Sequence, residues 1–301
     1  MKKYRVGILG ATGTVGQRFV QLLENHPQFE VTALAASDRS VGKTYAQACA
    51  WKLAGAMPDY VKEIIVEPIE PPLDCDFVFS SLPSNVARET EEAFARADFP
   101  VISNSSAYRM DEDVPLLIPE INSEHLALIE TQKNKRGFGK GFIITNPNCA
   151  VVSFAPPLAA LDEKFGIEAV FITTLQAISG AGYPGVSSFD ITDNVLPYIA
   201  GEEPKVETEA QKILGKFVDG AIVKADFTVS AQCFRVDVLD GHTVSARVKL
   251  KQRATLEDVF AAMKSYPSLN LYSSPKDFIA VCDEPSRPQP RLDRDNGKGM
   301  T

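Results

Sequence analysis

The chain has 301 residues, enough for about two domains at roughly 100–200 residues each. Its net charge of −8, with no basic stripe, argues against nucleic-acid binding, and no apolar run is long enough to span a bilayer. Three histidines and five scattered cysteines, with no C-x-x-C pair, argue against a metal site or a disulfide scaffold and suit a reduced cytoplasmic enzyme.

Basic residues precede apolar ones at the N-terminus, as in a secretory leader, but Gly10, Thr12 and Gly13 interrupt the run at once. Tyr4 to Leu9 therefore reads as a first strand. A helix follows, with Val15, Phe19, Leu22 and Leu23 on one face, and His26-Pro27 ends it. Glu30 to Ala36 is a second strand and Asp76 to Ser81 a third. A polar helix then runs from about Asn85 to Ala97, and Val101 to Ser103 and Phe142 to Thr145 continue the alternation. Strands alternating with helices predict a Rossmann-type, doubly wound parallel sheet.

The pattern changes after Cys149. Phe171 to Ala177 is a strand, and Thr228 to Leu239 and Thr243 to Lys251 read as a hairpin across Asp240-Gly241. An α+β domain with a mixed or antiparallel sheet is expected here. The predicted domains are 1–148 for nucleotide binding and 149–301 for catalysis and dimerisation.

Gly10, Gly13 and Gly16 form G-x-x-G-x-x-G between the first strand and the first helix. Such glycines permit a tight turn and close backbone approach, and the helix N-terminus attracts a pyrophosphate. A turn with no ligand is the alternative. An acidic residue ending the second strand would hold the 2′-hydroxyl of NAD. This chain has Ser37-Asp38-Arg39-Ser40, where Arg39, Ser37 and Ser40 can hold the 2′-phosphate of NADP by charge-assisted hydrogen bonds. Asp38 leaves NAD open.

Asn146-Pro147-Asn148-Cys149 lies between an apolar strand and an apolar helix, which puts Cys149 at a helix N-terminus. The dipole there favours a thiolate, the nucleophilic form, although a lone cysteine is often just a small buried hydrophobe. The other four cysteines read as structural. His242 follows a turn beside the strand bearing Arg235 and can shuttle protons. His26 and His125 read as surface residues. Ser179-Gly180-Ala181-Gly182-Tyr183-Pro184-Gly185 is a second glycine-rich loop, either a ligand contact or a simple turn.

Together these segments resemble the aspartate-β-semialdehyde dehydrogenase family in its archaeal and fungal branch. The matching motifs, in order, are Gly-Ala-Thr-Gly-Thr-Val-Gly at 10–16, Asn-Ser-Ser-Ala-Tyr-Arg-Met at 104–110 and Asp-Val-Pro-Leu-Leu-Ile-Pro-Glu at 113–120. Asn-Pro-Asn-Cys at 146–149, Gln-Ala-Ile-Ser-Gly-Ala-Gly-Tyr-Pro-Gly at 176–185 and Arg-Val-Asp-Val-Leu-Asp-Gly-His at 235–242 complete the set.

The resemblance implies an NADP-dependent enzyme that interconverts L-4-aspartyl phosphate and L-aspartate 4-semialdehyde in lysine, threonine and methionine synthesis. It implies Cys149 as nucleophile, His242 as acid/base and Gln176 as the residue orienting the substrate. It gives Arg235 the α-carboxylate, Glu203 the amino group, and Arg109 with Asn104 the phosphate, helped by Lys205. The cofactor set it implies is Gly10, Thr12, Gly13, Thr14, Val15, Gly16, Ser37, Arg39, Ser40, Ser81, Ser179, Gly180 and Gly182, with no metal. A homodimer or homotetramer is expected. Family members run on for several dozen residues past the position of Thr301, so part of the second domain is expected to be missing from this chain.

Two alternatives stand beside this reading. A malonyl-CoA or succinyl-CoA reductase shares the Ser-Gly-Ala-Gly-Tyr-Pro-Gly loop, although Asn146-Pro147-Asn148, Arg235-Val-Asp-Val and Glu202-Glu203 favour the aspartyl enzyme. An inactive nucleotide-binding or redox-sensing protein would not need Cys149, Gln176 and His242 together.

Overall fold

Residues 2–301 are described by a computed structural model. Two compact units emerge. The first comprises Met1–Leu116, Leu126–Asn146 and Asp219–Ala221, and the second Leu117–His125, Pro147–Val218 and Ile222–Thr301. The chain passes between them at residues 146 and 147, next to the expected division at 148/149, and it also makes the two short excursions 117–125 and 219–221.

In the first unit, β1 (Tyr4–Leu9) is buried without interruption from Val6 onward, as a strand covered on both faces must be. It pairs in parallel with β2 (Phe29–Ala35) on one side and β4 (Phe77–Ser80) on the other. β3 (Val66–Glu67), β5 (Pro100–Ser103) and β6 (Phe142–Thr145) complete a six-stranded parallel sheet in the order β3-β2-β1-β4-β5-β6. Val6 and Ile8 pack to one face with Val20, Leu34 and Tyr45. Leu9, Ala33 and Ala35 pack to the other with Phe94, Tyr108 and Ile143. Because the chain winds outward in both directions from β1, the switch point falls where β1 and β4 end.

The first helix, α1 (Thr14–Leu23), buries Gly16, Gln17, Val20 and Leu23. Val15 and Leu22, expected on the buried face, are exposed. Contact of Gly16 with the preceding turn fixes the helix rotation, and that rotation carries positions 20 and 23 inward.

In the second unit a four-stranded mixed sheet has the order Thr243–Leu250, β7 (Ile167–Gln176), Thr228–Val236, β8 (Val195–Leu196). The predicted hairpin is therefore wrong. The strands flanking Asp240-Gly241 do not pair with each other; both pair with β7, one parallel and one antiparallel. The reason lies in residues 237–242, which cross the end of β7, where Val238 and Leu239 carbonyls accept the Ile178 and Ser179 N–H groups. The earlier strand consequently stops at Val236.

Inward residues of β7 (Val170, Ile172, Thr174, Gln176) are buried, and the opposite face leaves Phe171 and Leu175 exposed. The covered face lies under the Cys149–Phe165 helix and the Glu203–Ile213 helix, which pack on each other and on the sheet. His125 corrects another expectation, since it is fully buried. Its Nδ1 sits 2.9 Å from Asn122 Nδ2 and its Nε2 3.0 Å from the Gly215 carbonyl, so the ring ties the 117–125 excursion into this unit. Among the described residues, no helix is long and apolar enough to cross a membrane.

Candidate active site

The glycine turn of the first unit is held from behind through its carbonyls. Ser81 Oγ donates to Leu9 O at 2.9 Å, Tyr45 Oη to Ala11 O at 2.8 Å and Gln17 Nε2 to Thr12 O at 2.9 Å. A Cβ on Gly16 would lie 2.4 Å from Gly10 O and 2.7 Å from Ala11 Cα, so only glycine lets α1 approach this turn. A Cβ on Gly13 would meet only Gly10 O, at 3.4 Å; the fold itself makes little demand for glycine there. No side chain caps α1, and its first-turn N–H groups, including those of Thr14, Val15 and Gly16, lie at the positive end of the helix dipole. At the end of β2, Ser37 and Arg39 are exposed and Ser40 is buried. Lys43 Nζ donates to Arg39 O at 2.7 Å, which sets a second cation on the same turn.

The second unit holds the cysteine singled out from the sequence. Asn148 caps the helix that Cys149 opens: its Oδ1 accepts from Ala150 N at 2.8 Å and Val151 N at 3.4 Å. Its carbonyl takes Val152 N, so these three donors are engaged by Asn148 rather than held for an oxyanion. Cys149 is exposed, whereas Cys49, Cys75 and Cys233 are buried. His242 Nε2 lies 3.1 Å from Cys149 Sγ. The other ring nitrogen, Nδ1, accepts the Ala177 N–H at 3.1 Å. That bond assigns the neutral tautomer with its proton on Nε2, facing the sulfur.

Arg235 is buried, and its Nη1 donates to Ala177 O at 2.7 Å. The two backbone polar groups of one residue, Ala177, thus orient both side chains, a role that no residue type announces in a sequence. Gly180 packs against the pair; a Cβ there would lie 2.7 Å from Arg235 Nη1 and 3.1 Å from His242 Cε1. Burial lowers the His242 pKa below the ordinary histidine value and the charge of Arg235 adds to the effect, while Glu202 and Asp240 oppose it. Arg235 is also lowered by burial, partly offset by Cys149 and Glu202.

Gln176 Nε2 donates to Glu202 Oε1 at 3.1 Å, and Glu202 also takes Asn148 Nδ2 at 2.7 Å and Lys205 Nζ at 3.2 Å. Burial works against ionising Glu202, but Asn148, Lys205 and Gln176 together hold its carboxyl below the usual range. Glu203, the residue singled out from the sequence, turns instead to the sheet, where its carboxylate accepts the Cys233 N–H at 3.2 Å. Ser179 Oγ donates to Asp240 at 2.9 Å, and Gly182 has a left-handed φ of 69°, which bends the second glycine loop.

Asn104 and Arg109 belong to the first unit. Arg109 Nη2 donates to Asn104 O at 2.8 Å, and Asn146 Nδ2 donates to Asn104 Oδ1. The adjacent Tyr108 ring sits between the guanidinium groups of Arg88 and Arg136, 4.4 and 5.1 Å from its centroid. Both arginines pair with Asp111, which locks the loop that presents Arg109.

These two constellations can be set beside known proteins. Residues 5–129 match the family described as semialdehyde dehydrogenase, NAD binding domain, and residues 158–301 match semialdehyde dehydrogenase, dimerisation domain. An aspartate-semialdehyde dehydrogenase of Archaeoglobus fulgidus is 53% identical over 300 residues, covering 99% of this chain and 87% of that protein. One from Aspergillus fumigatus is 49% identical over 311 residues, covering 99% and 86%. The crystal structure of the Candida albicans aspartate semialdehyde dehydrogenase with NADP superposes with a TM-score of 0.90 at 43% identity, over 99% of this chain and 88% of that one. The Vibrio cholerae aspartate semialdehyde dehydrogenase II, complexed with ASA, gives 0.71 at 26% identity, over 88% and 80%. A glycine turn with an uncapped helix in one unit and a cysteine–histidine pair in the other agree with these matches along nearly the whole chain, which belongs to the aspartate-semialdehyde dehydrogenase family.

Proposed function

We propose that this chain catalyses the reversible, NADPH-dependent reductive dephosphorylation of L-4-aspartyl phosphate to L-aspartate 4-semialdehyde, in the synthesis of lysine, threonine and methionine. The observation that carries this reading is the 3.1 Å contact between Cys149 Sγ and His242 Nε2, with a buried guanidinium (Arg235) and a buried carboxylate (Glu202) in the same unit. A nucleophile with one group for a carboxylate and one for an ammonium suits an α-amino acid.

The Cys149 thiolate attacks the acyl carbon; a C–S bond forms and the C–O bond to phosphate breaks, releasing inorganic phosphate. Covalent capture divides one difficult step into two easier ones. NADPH supplies the hydride when bound. His242, as the imidazolium, gives its Nε2 proton to the forming hemithioacetal oxygen or the departing sulfur as the aldehyde is released, and returns to the neutral ring. Arg235 holds the α-carboxylate by donors beyond the one committed to Ala177, and Gln176 orients the intermediate. Glu202, rather than Glu203, takes the amino group, because only Glu202 reaches Gln176. Arg109 and Asn104 bind phosphate.

The residues of the first unit fit the cofactor. Gly10, Thr12, Gly13, Thr14, Val15 and Gly16 present an uncapped helix start to a pyrophosphate. Ser37, Arg39 and Ser40 offer a cation and hydroxyls to a 2′-phosphate, and Ser81 braces the turn. The resemblance adds Ser179, Gly180 and Gly182 of the second glycine-rich loop to this set. Gly16→Ala should cost about 1–3 kcal/mol through collision with the turn. Calorimetric titration with NADPH should show weakened binding; wild-type affinity would contradict the cradle.

A second copy of the chain is assigned to the uncovered face of the mixed sheet, where Phe171 is 55% and Leu175 38% exposed. Phe171→Glu should convert dimers to monomers in sedimentation velocity, and an unchanged mass would place the dimer contact elsewhere. Five cysteines that form no disulfide, one of them exposed, suit a reducing compartment, and the proposed location is the cytoplasm.

The deciding assay follows NADPH formation from aspartate semialdehyde with and without inorganic phosphate, beside NADPH oxidation by malonyl-CoA. Phosphate-dependent turnover is expected, and preference for the CoA thioester would overturn the assignment.

A further inference from the structure

Entering the nucleophile helix through Asn146-Pro147-Asn148 buries the Asn148 N–H, and a buried amide must find an acceptor. It finds Glu209. This side chain is 1% exposed, and its Oε2 accepts the Asn148 N–H at 2.6 Å. Seven positions earlier, at the N-cap of the same helix and already in helical conformation, Glu202 (6% exposed) accepts from the Asn148 side-chain amide at 2.7 Å. Seven residues make nearly two helical turns, so both carboxylates project from one face. Asn148 is gripped at its backbone by one and at its amide by the other.

The double grip settles which way the Asn148 amide points. With Nδ2 committed to Glu202, Oδ1 must face the helix, where it accepts from Ala150 and Val151. The Glu209 oxygen holds the Asn148 N–H in a short bond of 2.6 Å, and any acceptor on an arm of that length can make it. The grip matters because Cys149 is the next residue, and its sulfur must stay in line with His242 Nε2.

We propose that Glu209 is a positioning residue for the nucleophile: its carboxylate fixes the Asn148 backbone and so sets where Cys149 Sγ stands relative to His242. This rests on Cys149 being the nucleophile. It differs from the role given to Glu202, because Glu209 acts through Asn148 and meets no substrate.

The test compares Glu209→Ala with Glu209→Gln in the phosphate-dependent assay, in which a misplaced nucleophile costs rate rather than binding. The alanine variant should lose about tenfold or more in kcat, with KM for semialdehyde and for NADP within about twofold of wild type. The glutamine variant keeps an acceptor on an arm of equal length and should recover to within about threefold of wild-type kcat. If the alanine variant does not fold, Glu209→Asp replaces it, since its shorter arm withdraws the acceptor, and the same loss is expected. Wild-type kcat in the shortened variant, a change confined to KM, or a glutamine variant as slow as alanine would each overturn the proposal. Cys149→Ala, run alongside, separates the failures. Turnover in that variant sinks the nucleophile reading; a dead Cys149→Ala beside a fully active Glu209→Ala sinks only the role of Glu209.

Discussion

Cys149→Ala is expected to abolish phosphate-dependent reduction of NADP, lowering kcat by about 10⁴-fold or more, while NADP binding stays intact. The size follows from the chemistry. No other exposed cysteine occurs among the described residues, since Cys49, Cys75 and Cys233 are buried and Cys282 is only partly exposed. Burial also pushes the Cys75 thiol up to about 12 and Cys233 up to about 11, far from a nucleophilic form. Without the thioester, hydride transfer has no acyl acceptor. NADPH fluorescence follows turnover, and quenching titration follows binding. Residual turnover near wild type would remove the covalent mechanism altogether.

The second large effect is expected at His242. Replacing it with glutamine should lower kcat by about 10²–10³-fold, because the proton held at Nε2 no longer reaches the reacting atoms. The pH profile gives an independent check. Burial, followed by the charge of Arg235, lowers the imidazole pKa, so the neutral ring persists to a lower pH than in a free histidine. kcat/KM should stay level as pH falls past about 6.5 and drop only as the lowered value is crossed. The glutamine variant should lack that limb. Stability has a related dependence. Below about 6.5 the unfolded chain takes a proton at this position before the folded one does, so stability is lost as pH falls from there through the lowered folded value. An acid limb that survives in His242→Gln would assign the titration to another group.

Much of this site was legible from residue types at fixed spacing. Gly10 and Gly16 mark a strand-to-helix turn, Gly10 through its left-handed φ of 79° and Gly16 because only glycine permits its approach to the turn. Asn148-Cys149 marks a helix start because asparagine is a good cap. What could not be read depends on rotation and on long-range pairing. Glu202 and Glu203 are neighbours of like chemistry; about 100° of helical rotation decides which faces Gln176 and which faces Cys233. Asp240-Gly241 carries a valid turn signal, but a local turn does not reveal that β7 will lie between the two strands. His125 sits in a polar stretch, and its burial depends on Gly215, ninety positions away. Ala177 does its work through backbone atoms alone.

That Ala177 peptide leaves His242 with one working end. In a serine-hydrolase triad the far nitrogen of the imidazole donates to a carboxylate, which steadies the ring when it becomes doubly protonated. Here the far nitrogen meets another donor, so an imidazolium would set two N–H dipoles head to head. On the role proposed for it, His242 cannot give up the Nε2 proton of this neutral ring without leaving an imidazolate, so it must gain a proton before it delivers one. That gain sets a proton on Nδ1 against the Ala177 N–H, so the ring has to turn from this contact whenever it acts as an acid. Loosening at Ala177 then accompanies each proton that the proposed mechanism delivers.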